Sequence, residues 1–377
     1  MKARWRIVPV SMLLVAGAAH AQVPAGTLDQ PIGSRMQHRV VELARGLAHP
    51  WSLAFLPDGR MIVSERTGGL RLFANGVLDA RPIAGAPAAL AKGDGGLLGL
   101  AVDPEYDANQ RIYVCLAAGT EDQNASVVVR GRLGGSRLES LREIFRAQPL
   151  KARASHFGCR LLFLPDRTLL VTLGDGYDYK DHAQAMESHL GKIVRITRDG
   201  AAPRDNPFPV GARPEIYTLG HRNVQGIALR PGTVEVWTHE HGPRGGDEVN
   251  VLTAGANYGW PLATFGIDYS GQPIAPLTSR RDFEAARWYW VPSIAPSGMT
   301  FYDGERFPEW RGDVFVGALA ARALYRLDVQ GGRIVGQEIL LAERKERIRE
   351  VQAGPDGLLY VLTDAADGKL LRLDPRE

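Results

Sequence analysis

Two histidines stand one residue apart in the stretch THEHGPRGGDEVN, residues 238–250. On a strand, His239 and His241 would share a face, and such pairs hold zinc or iron when a third ligand joins them. The same stretch carries Gly242, Pro243, Gly245 and Gly246, then Asp247 and Glu248. A backbone-exposing loop that ends in carboxylates offers hard oxygen donors, which suit calcium, although the spacing is not that of an EF-hand. Composition alone leaves a transition-metal site, a calcium site and a polar turn without metal all open.

Other chemistry-bearing residues stand just ahead of apolar runs. His156 opens SHFGCRLLFLPD, where a neutral imidazole can act as a general base or simply bond to loop backbone. Arg222 and Asn223 close TLGHRN, and Asp94 lies in KGDGGLLGL. Arg347 and Arg349, in RKERIREVQAGPDG, alternate onto one side of a strand. Guanidinium forks match carboxylates and other planar oxyanions, so three arginines beside a candidate base point to a multiply anionic ligand. The competing reading is a set of ion pairs with acids at the rim.

The elements that position these residues repeat. An alternating apolar stretch, a turn with Pro, Asp or Gly, and a second alternating stretch recur from Leu53, Leu100, Leu161, Ile227, Met299 and Val351. Each copy reads as a β-hairpin followed by a third strand. The shorter spacings approach the roughly 40–50 residues of a four-stranded propeller blade, and the longer ones leave room for loops. The pattern predicts an all-β, six-bladed β-propeller. The last copy ends after KLLRLDP without an outer strand, and His38–Leu47 alternates like one. It is expected to close the ring by pairing with the last blade. The four junctions that carry His156, Arg222 with Asn223, Arg347 with Arg349, and Asp94 would then converge on one end of the central channel.

Residues 1–21 read as an export signal: Lys2, Arg4 and Arg6 precede a short apolar run and the small-x-small site Ala19-His20-Ala21. The expectation is a periplasmic chain beginning near Gln22, with residues 22–377 forming one propeller. No later stretch has the ~18 apolar residues of a membrane-spanning helix. The net charge of +3 is small and dispersed, which gives a nucleic-acid partner little support. Cys115 and Cys159 each lie in an apolar, strand-like run. Export permits a disulfide, but two buried free thiols are the simpler expectation.

At these residues the chain resembles the soluble pyrroloquinoline quinone (PQQ)-dependent sugar dehydrogenases, the glucose/sorbosone or aldose sugar dehydrogenase family. The resemblance runs from about His38 to Leu373 through ordered anchors. These include GGLLGLAVDPEY, SHFGCRLLFLPD, LGDG, YTLGHRNVQGIAL, HEHGPRGGDEVN, NYGWP, VPSIAPSGMTFY and RIREVQAGPDGLLYVLTD. It implies an exported six-bladed propeller that oxidises aldoses at C1 to lactones and passes electrons to an external acceptor. His156 would be the base that takes the anomeric proton. Arg222 would sit by the quinone carbonyl where negative charge grows. His156, Arg222, Asn223, Tyr269, Arg347, Arg349 and the residue at Asp94 would contact the cofactor, and the pair Arg347 and Arg349 would hold its carboxylates. Gly242 and Pro243 would offer carbonyls to the calcium that also touches the cofactor, with Glu248 and Tyr258 at a further calcium position.

Three departures from the family pattern stand out: Asp94 in place of Gln, Ser155 in place of an acid expected to orient the base, and Ala320 in place of a cofactor-binding Lys, for which Arg322 is a nearby substitute. Two rivals remain: a calcium-dependent propeller lactonase, which needs acids and amides rather than arginines around the channel, and a non-catalytic propeller that binds glycans or proteins. The chain could act as a monomer or a homodimer.

Overall fold

A computed structural model describes residues 36–208 and 210–376. The expected export signal lies outside the described residues. Six four-stranded antiparallel sheets follow one another along the chain. Blade 1 is Pro50–Phe55, Met61–Glu65, Gly69–Ala74 and Val77–Leu78. Blade 2 is Leu97–Val102, Arg111–Gly119, Asn124–Gly134 and Arg137–Arg146. Blade 3 is Leu161–Phe163, Leu169–Thr172, Lys192–Ile196 and Ile216–Leu219, and blade 4 is Val224–Leu229, Val236–Glu240, Asp247–Val251 and Trp288–Trp290. Blade 5 is Pro296–Phe301, Val314–Ala318, Ala323–Gln330 and Arg333–Leu340. Blade 6 takes Ile348–Ala353, Leu359–Thr363 and Gly368–Pro375 from the end of the chain and His38–Leu47 from its beginning. Each of the six hairpins expected from the repeats forms the two inner strands of one blade, so the all-β propeller is as expected.

The closing strand is registered from His38 opposite Pro375 to Leu47 opposite Gly368. It covers an edge that would otherwise present unpaired backbone groups. It also delivers the fully buried Leu47 to a core shared with Leu53, Val63, Phe315 and Leu371. Deleting residues 36–47 is therefore expected to lower the thermal midpoint by more than about 10 °C. A midpoint within about 2 °C of the parent, read by circular dichroism, would show that the ring does not depend on this strand.

Apolar side chains lie between neighbouring blades rather than along the axis. Blades 1 and 2 share Ile62, Leu72, Leu97 and Val114, and blades 4 and 5 share Trp237, Trp290, Met299 and Val316. Both faces of each sheet are thus buried, which is why inner strands such as Met61–Glu65 and Leu169–Thr172 are buried throughout. The boundary of blades 3 and 4 is different. Its apolar cluster is reduced to Leu170, Ile193, Val224, Ile227 and Val236. Buried Thr218, His221, Thr238, Glu240 and Asn250 occupy strands and junctions of the same two blades.

The expectation of two free thiols is overturned. Cys115 and Cys159 form a disulfide, with Cα atoms 5.4 Å apart. Cys115 is on the second strand of blade 2 and Cys159 just precedes blade 3, so the propeller brings together two residues 44 apart in sequence.

Candidate active site

His156 enters the site from the segment ahead of blade 3, with its backbone in the left-handed region at φ 49°. Its Nδ1 lies 2.7 Å from Asp175 Oδ1. Asp175 follows the second strand of the same blade, in the LGDG turn. Gly174 is required there, since a Cβ would come within 2.1 Å of the His156 carbonyl oxygen. The carboxylate also accepts from Tyr177 N (2.8 Å) and from Trp260 Nε1 (2.8 Å). Burial pushes the imidazole pKa down; the Asp175 bond restores part of this and Arg222 opposes it, leaving His156 below its ordinary value. For Asp175, burial favours the neutral acid, but the His156 bond and charge, Arg222 and the Tyr177 N–H hold it below the usual carboxylate range. A neutral imidazole pinned through Nδ1 by an ionised carboxylate has Nε2 available as a base. Asp175 is not among the residues the sequence pattern singles out; its one signal is the acid in LGDG.

His156 opens on a cavity of about 220 Å³ lined also by Trp51, Arg66, Asp94, Asn223, Gln225, His241, Leu319, Arg347 and Arg349. The structure thus brings His156, Asp94, Asn223, Arg347 and Arg349 together at one end of the channel. Arg347 and Arg349 both reach Asp364 Oδ2 at 3.1 Å, and His49 Nδ1 lies 3.1 Å from the other oxygen. Burial resists ionisation of Asp364, yet Arg349, His49 and Arg347 hold it far below the usual carboxylate range. One carboxylate serving two arginines leaves cationic capacity over. Burial, with Arg160 and Arg347 adding to it, lowers Arg349 to about 10. Arg349 Nε and Arg66 Nε are buried without a hydrogen-bond partner. Orphaned guanidinium donors in a cavity wall fit an anionic, planar ligand. Arg66 and Trp51, from blade 1, are cavity residues with no signal in the motifs. Ala320 and Arg322 are exposed and do not line the cavity.

Arg222 is buried against Trp260, its guanidinium 5.5 Å from the ring centroid, and donates to the Gly242 carbonyl (2.8 Å) and the His241 carbonyl (3.2 Å). It lines a second, much smaller cavity of about 10 Å³, together with Glu240, Gly242, Glu248, Tyr258 and Thr264. Such a space admits about one water or ion. Glu240 and Glu248 are directly opposed across antiparallel strands. Glu240 accepts from His221 Nδ1 (2.8 Å) and the Arg222 N–H (2.6 Å). Burial and the charge of Glu240 push Glu248 well above the usual carboxylate range. Two opposed carboxylates beside the Gly242 carbonyl, which here accepts from Arg222, form an oxygen-rich donor set that fits a hard cation. Of the four residues expected near calcium, Gly242, Glu248 and Tyr258 line this space and Pro243 does not. Glu240 is the ligand candidate that the sequence hides, as one more alternating residue of a strand.

The H-x-H pair does not act as a unit. His239 is fully buried against Gly226, where a Cβ would come within 2.1 Å of Nε2. His241 donates from Nε2 to the Pro296 carbonyl (2.7 Å) and lines the large cavity; burial pushes it down to about 3. Among the described residues no three His, Cys, Asp or Glu side chains converge as a metal-holding group. Asp247 instead fixes the loop, its carboxylate accepting from the N–H groups of Gly242, Ile294 and Ala295 at 2.8–2.9 Å.

Two sequence departures meet each other. Ser155 Oγ donates to Asp94 Oδ2 (2.7 Å), which also accepts from the His156 N–H (3.2 Å). The acid missing at Ser155 is therefore not needed to orient the His156 imidazole, which Asp175 holds at Nδ1. Tyr269 stands apart from the cavity lining. It is 57 % exposed and stacks on Tyr177, centroids 6.5 Å apart, while Tyr177 packs edge-on to His156 at 5.1 Å. The two tyrosines form the rim where a loop of blade 3 meets a loop of blade 4.

Residues 47–372 match the family model described as Glucose / Sorbosone dehydrogenase. The chain is 41% identical to the aldose sugar dehydrogenase YliI of Escherichia coli, over 88% of this chain and 91% of the relative. It is 26% identical to quinoprotein glucose dehydrogenase B of Acinetobacter calcoaceticus, over 85% and 84% respectively. The PQQ-bound form of an aldose sugar dehydrogenase from Streptomyces coelicolor superposes with a TM-score of 0.74 at 27% identity, covering 90% of this chain and 99% of that one.

Proposed function

The chain belongs to the glucose/sorbosone dehydrogenase family of oxidoreductases, and on that premise we propose that it is a periplasmic quinoprotein that oxidises aldoses at C1 to lactones, with PQQ as cofactor and calcium assisting. The observation that carries this reading is the His156–Asp175 pair opening on a cavity in which Arg66 and Arg349 each keep an unpartnered guanidinium Nε. When bound, PQQ supplies a two-electron acceptor for hydride. Arg347, Arg349 and Arg66 would hold its carboxylates, with Asn223 beside them. His156 takes the proton of the anomeric hydroxyl at Nε2 while Asp175 holds Nδ1 and stabilises the imidazolium that forms. Arg222 offers a fixed cation, braced by Trp260 and the Gly242 carbonyl, where negative charge develops. The sugar enters past the Tyr177–Tyr269 rim, and an external acceptor removes the electrons.

Supplying metal-free apoprotein with PQQ and calcium, then following dye reduction with several aldoses, tests the reading. Saturable turnover is expected. Hydrolysis of added lactones with no dye reduction would replace it with the lactonase reading.

Calcium at Glu240 and Glu248 carries its own expectation. The ion should raise the thermal midpoint of the apoprotein by several degrees, about the effect of a ligand present at 100 times its Kd. Because Glu248 titrates above the usual range, it takes up a proton early as pH falls, so the gain should shrink toward acid. Glu248→Gln should remove most of it; an undiminished gain in that variant would place the ion elsewhere.

A further inference from the structure

The backbone that presents His156 is unusual over four residues. His156, Gly158 and Cys159 all lie in the left-handed region, at φ 49°, 65° and 73°. Glycine adopts this conformation freely, whereas histidine and cysteine do so at a cost, and such conformations persist where the surroundings over-determine them. The surroundings here come from three blades. Asp94, ahead of blade 2, holds the His156 N–H, and Ser126 Oγ donates to the Phe157 carbonyl (2.7 Å). From the blade 4 side Asn223 Oδ1 accepts from Gly158 N (3.1 Å). Within blade 3, Cys159 N donates to the Thr172 carbonyl at 2.6 Å, three residues before Asp175. The last restraint is covalent: Cys159 is bonded to Cys115 on the second strand of blade 2, and both residues are fully buried. The disulfide therefore ties down the residue that is itself in the left-handed conformation, at the end of the segment that aims the imidazole at Asp175.

We propose that the Cys115–Cys159 disulfide is a positioning element for the reaction: it locks the left-handed His156–Cys159 backbone so that the imidazole stays on Asp175, and without it the segment relaxes while the propeller remains folded. The proposal rests on His156 being the base. It differs from the ordinary role of a disulfide, which stabilises the fold chiefly by constraining the unfolded chain.

Two disulfide-free variants separate these roles. Cys115→Ala with Cys159→Ala keeps an L-residue at position 159, where the left-handed conformation is costly. Cys115→Ala with Cys159→Gly supplies a residue that adopts it freely. With alanine, kcat should fall by about 10- to 100-fold with little change in KM, as expected for a misaimed base. The downfield Nδ1–H resonance of His156 in the apoprotein, the signature of its bond to Asp175, should broaden or vanish. With glycine, both the resonance and kcat should return to within about threefold of the parent, although the disulfide is still absent. The groups facing His156 are Asp175, Asp94, Arg222 and His241, none of them altered. Equal and parent-like kcat in both variants would overturn the proposal, as would failure of both to fold, which would make the disulfide a staple of the whole structure. The resonance is read without sugar or cofactor, so a parent protein inactive on every aldose would sink the proposed function and leave this test standing.

Discussion

His156→Ala is expected to lower kcat by about 10²- to 10⁴-fold, the usual contribution of a positioned general base, while PQQ binding by the apoprotein stays close to that of the parent. The imidazole is one wall of the cavity, whereas the cationic groups that would grip a tricarboxylate lie on blades 1 and 6. Asp175→Asn should also lower kcat, by about 10²-fold or more, because an amide can no longer fix the tautomer and stabilise the imidazolium. Burial leaves His156 below its ordinary pKa, so the acid limb of the kcat/KM profile should lie below about pH 6.5. Steady-state kinetics with dye, alongside fluorescence titration of PQQ, separates the two effects. Equal losses of binding and turnover would make His156 a structural residue.

Arg349→Ala is expected to have the largest effect on cofactor affinity. The side chain is buried, its Nε has no partner, and the Asp364 carboxylate it uses is shared with Arg347. A charge-assisted hydrogen bond to a ligand carboxylate is worth about 1.5–3 kcal/mol, so PQQ should bind about 10- to 150-fold more weakly. The kcat of the fully loaded variant should stay within about threefold of the parent, since the guanidinium neither takes the proton nor touches the base. Arg347→Ala should act in the same direction with a smaller effect, its side chain being partly in solvent and paired at 3.1 Å with the same acid. Unchanged affinity in both variants would remove the arginines from the cofactor site.

The contrast between what was legible and what was not has physical causes. Period-two alternation interrupted by Pro, Asp and Gly is a local signal, so all six hairpins could be read from Leu53 to Val351. The missing outer strand of the last blade pointed to His38–Leu47. Propeller symmetry then placed His156, Asp94, Asn223, Arg347 and Arg349 at one end of the channel, because each stands at the same junction of its own copy. What was hidden depends on distance between blades. Asp175 is an ordinary turn acid until Gly174 lets the turn pack beneath His156. Glu240 alternates like any strand residue until its register sets it against Glu248. The pairing of Cys115 with Cys159 depends on the gap between blades 2 and 3, which no spacing encodes. The H-x-H spacing does not make a metal pair: strand burial turns His239 into the blade, and the Pro296 carbonyl holds His241.

The central claim is that the His156–Asp175 pair takes the anomeric proton of an aldose while a PQQ gripped by the arginines would accept the hydride from C1. It is tested most directly by a single turnover. Apoprotein is loaded with PQQ and calcium, freed of excess cofactor, and given each of several aldoses in turn without oxygen or dye. One lactone per loaded site is expected and then no more, with none from loaded His156→Ala on the same timescale. Loaded parent protein that forms no lactone, or that keeps forming it without an acceptor, would contradict the account.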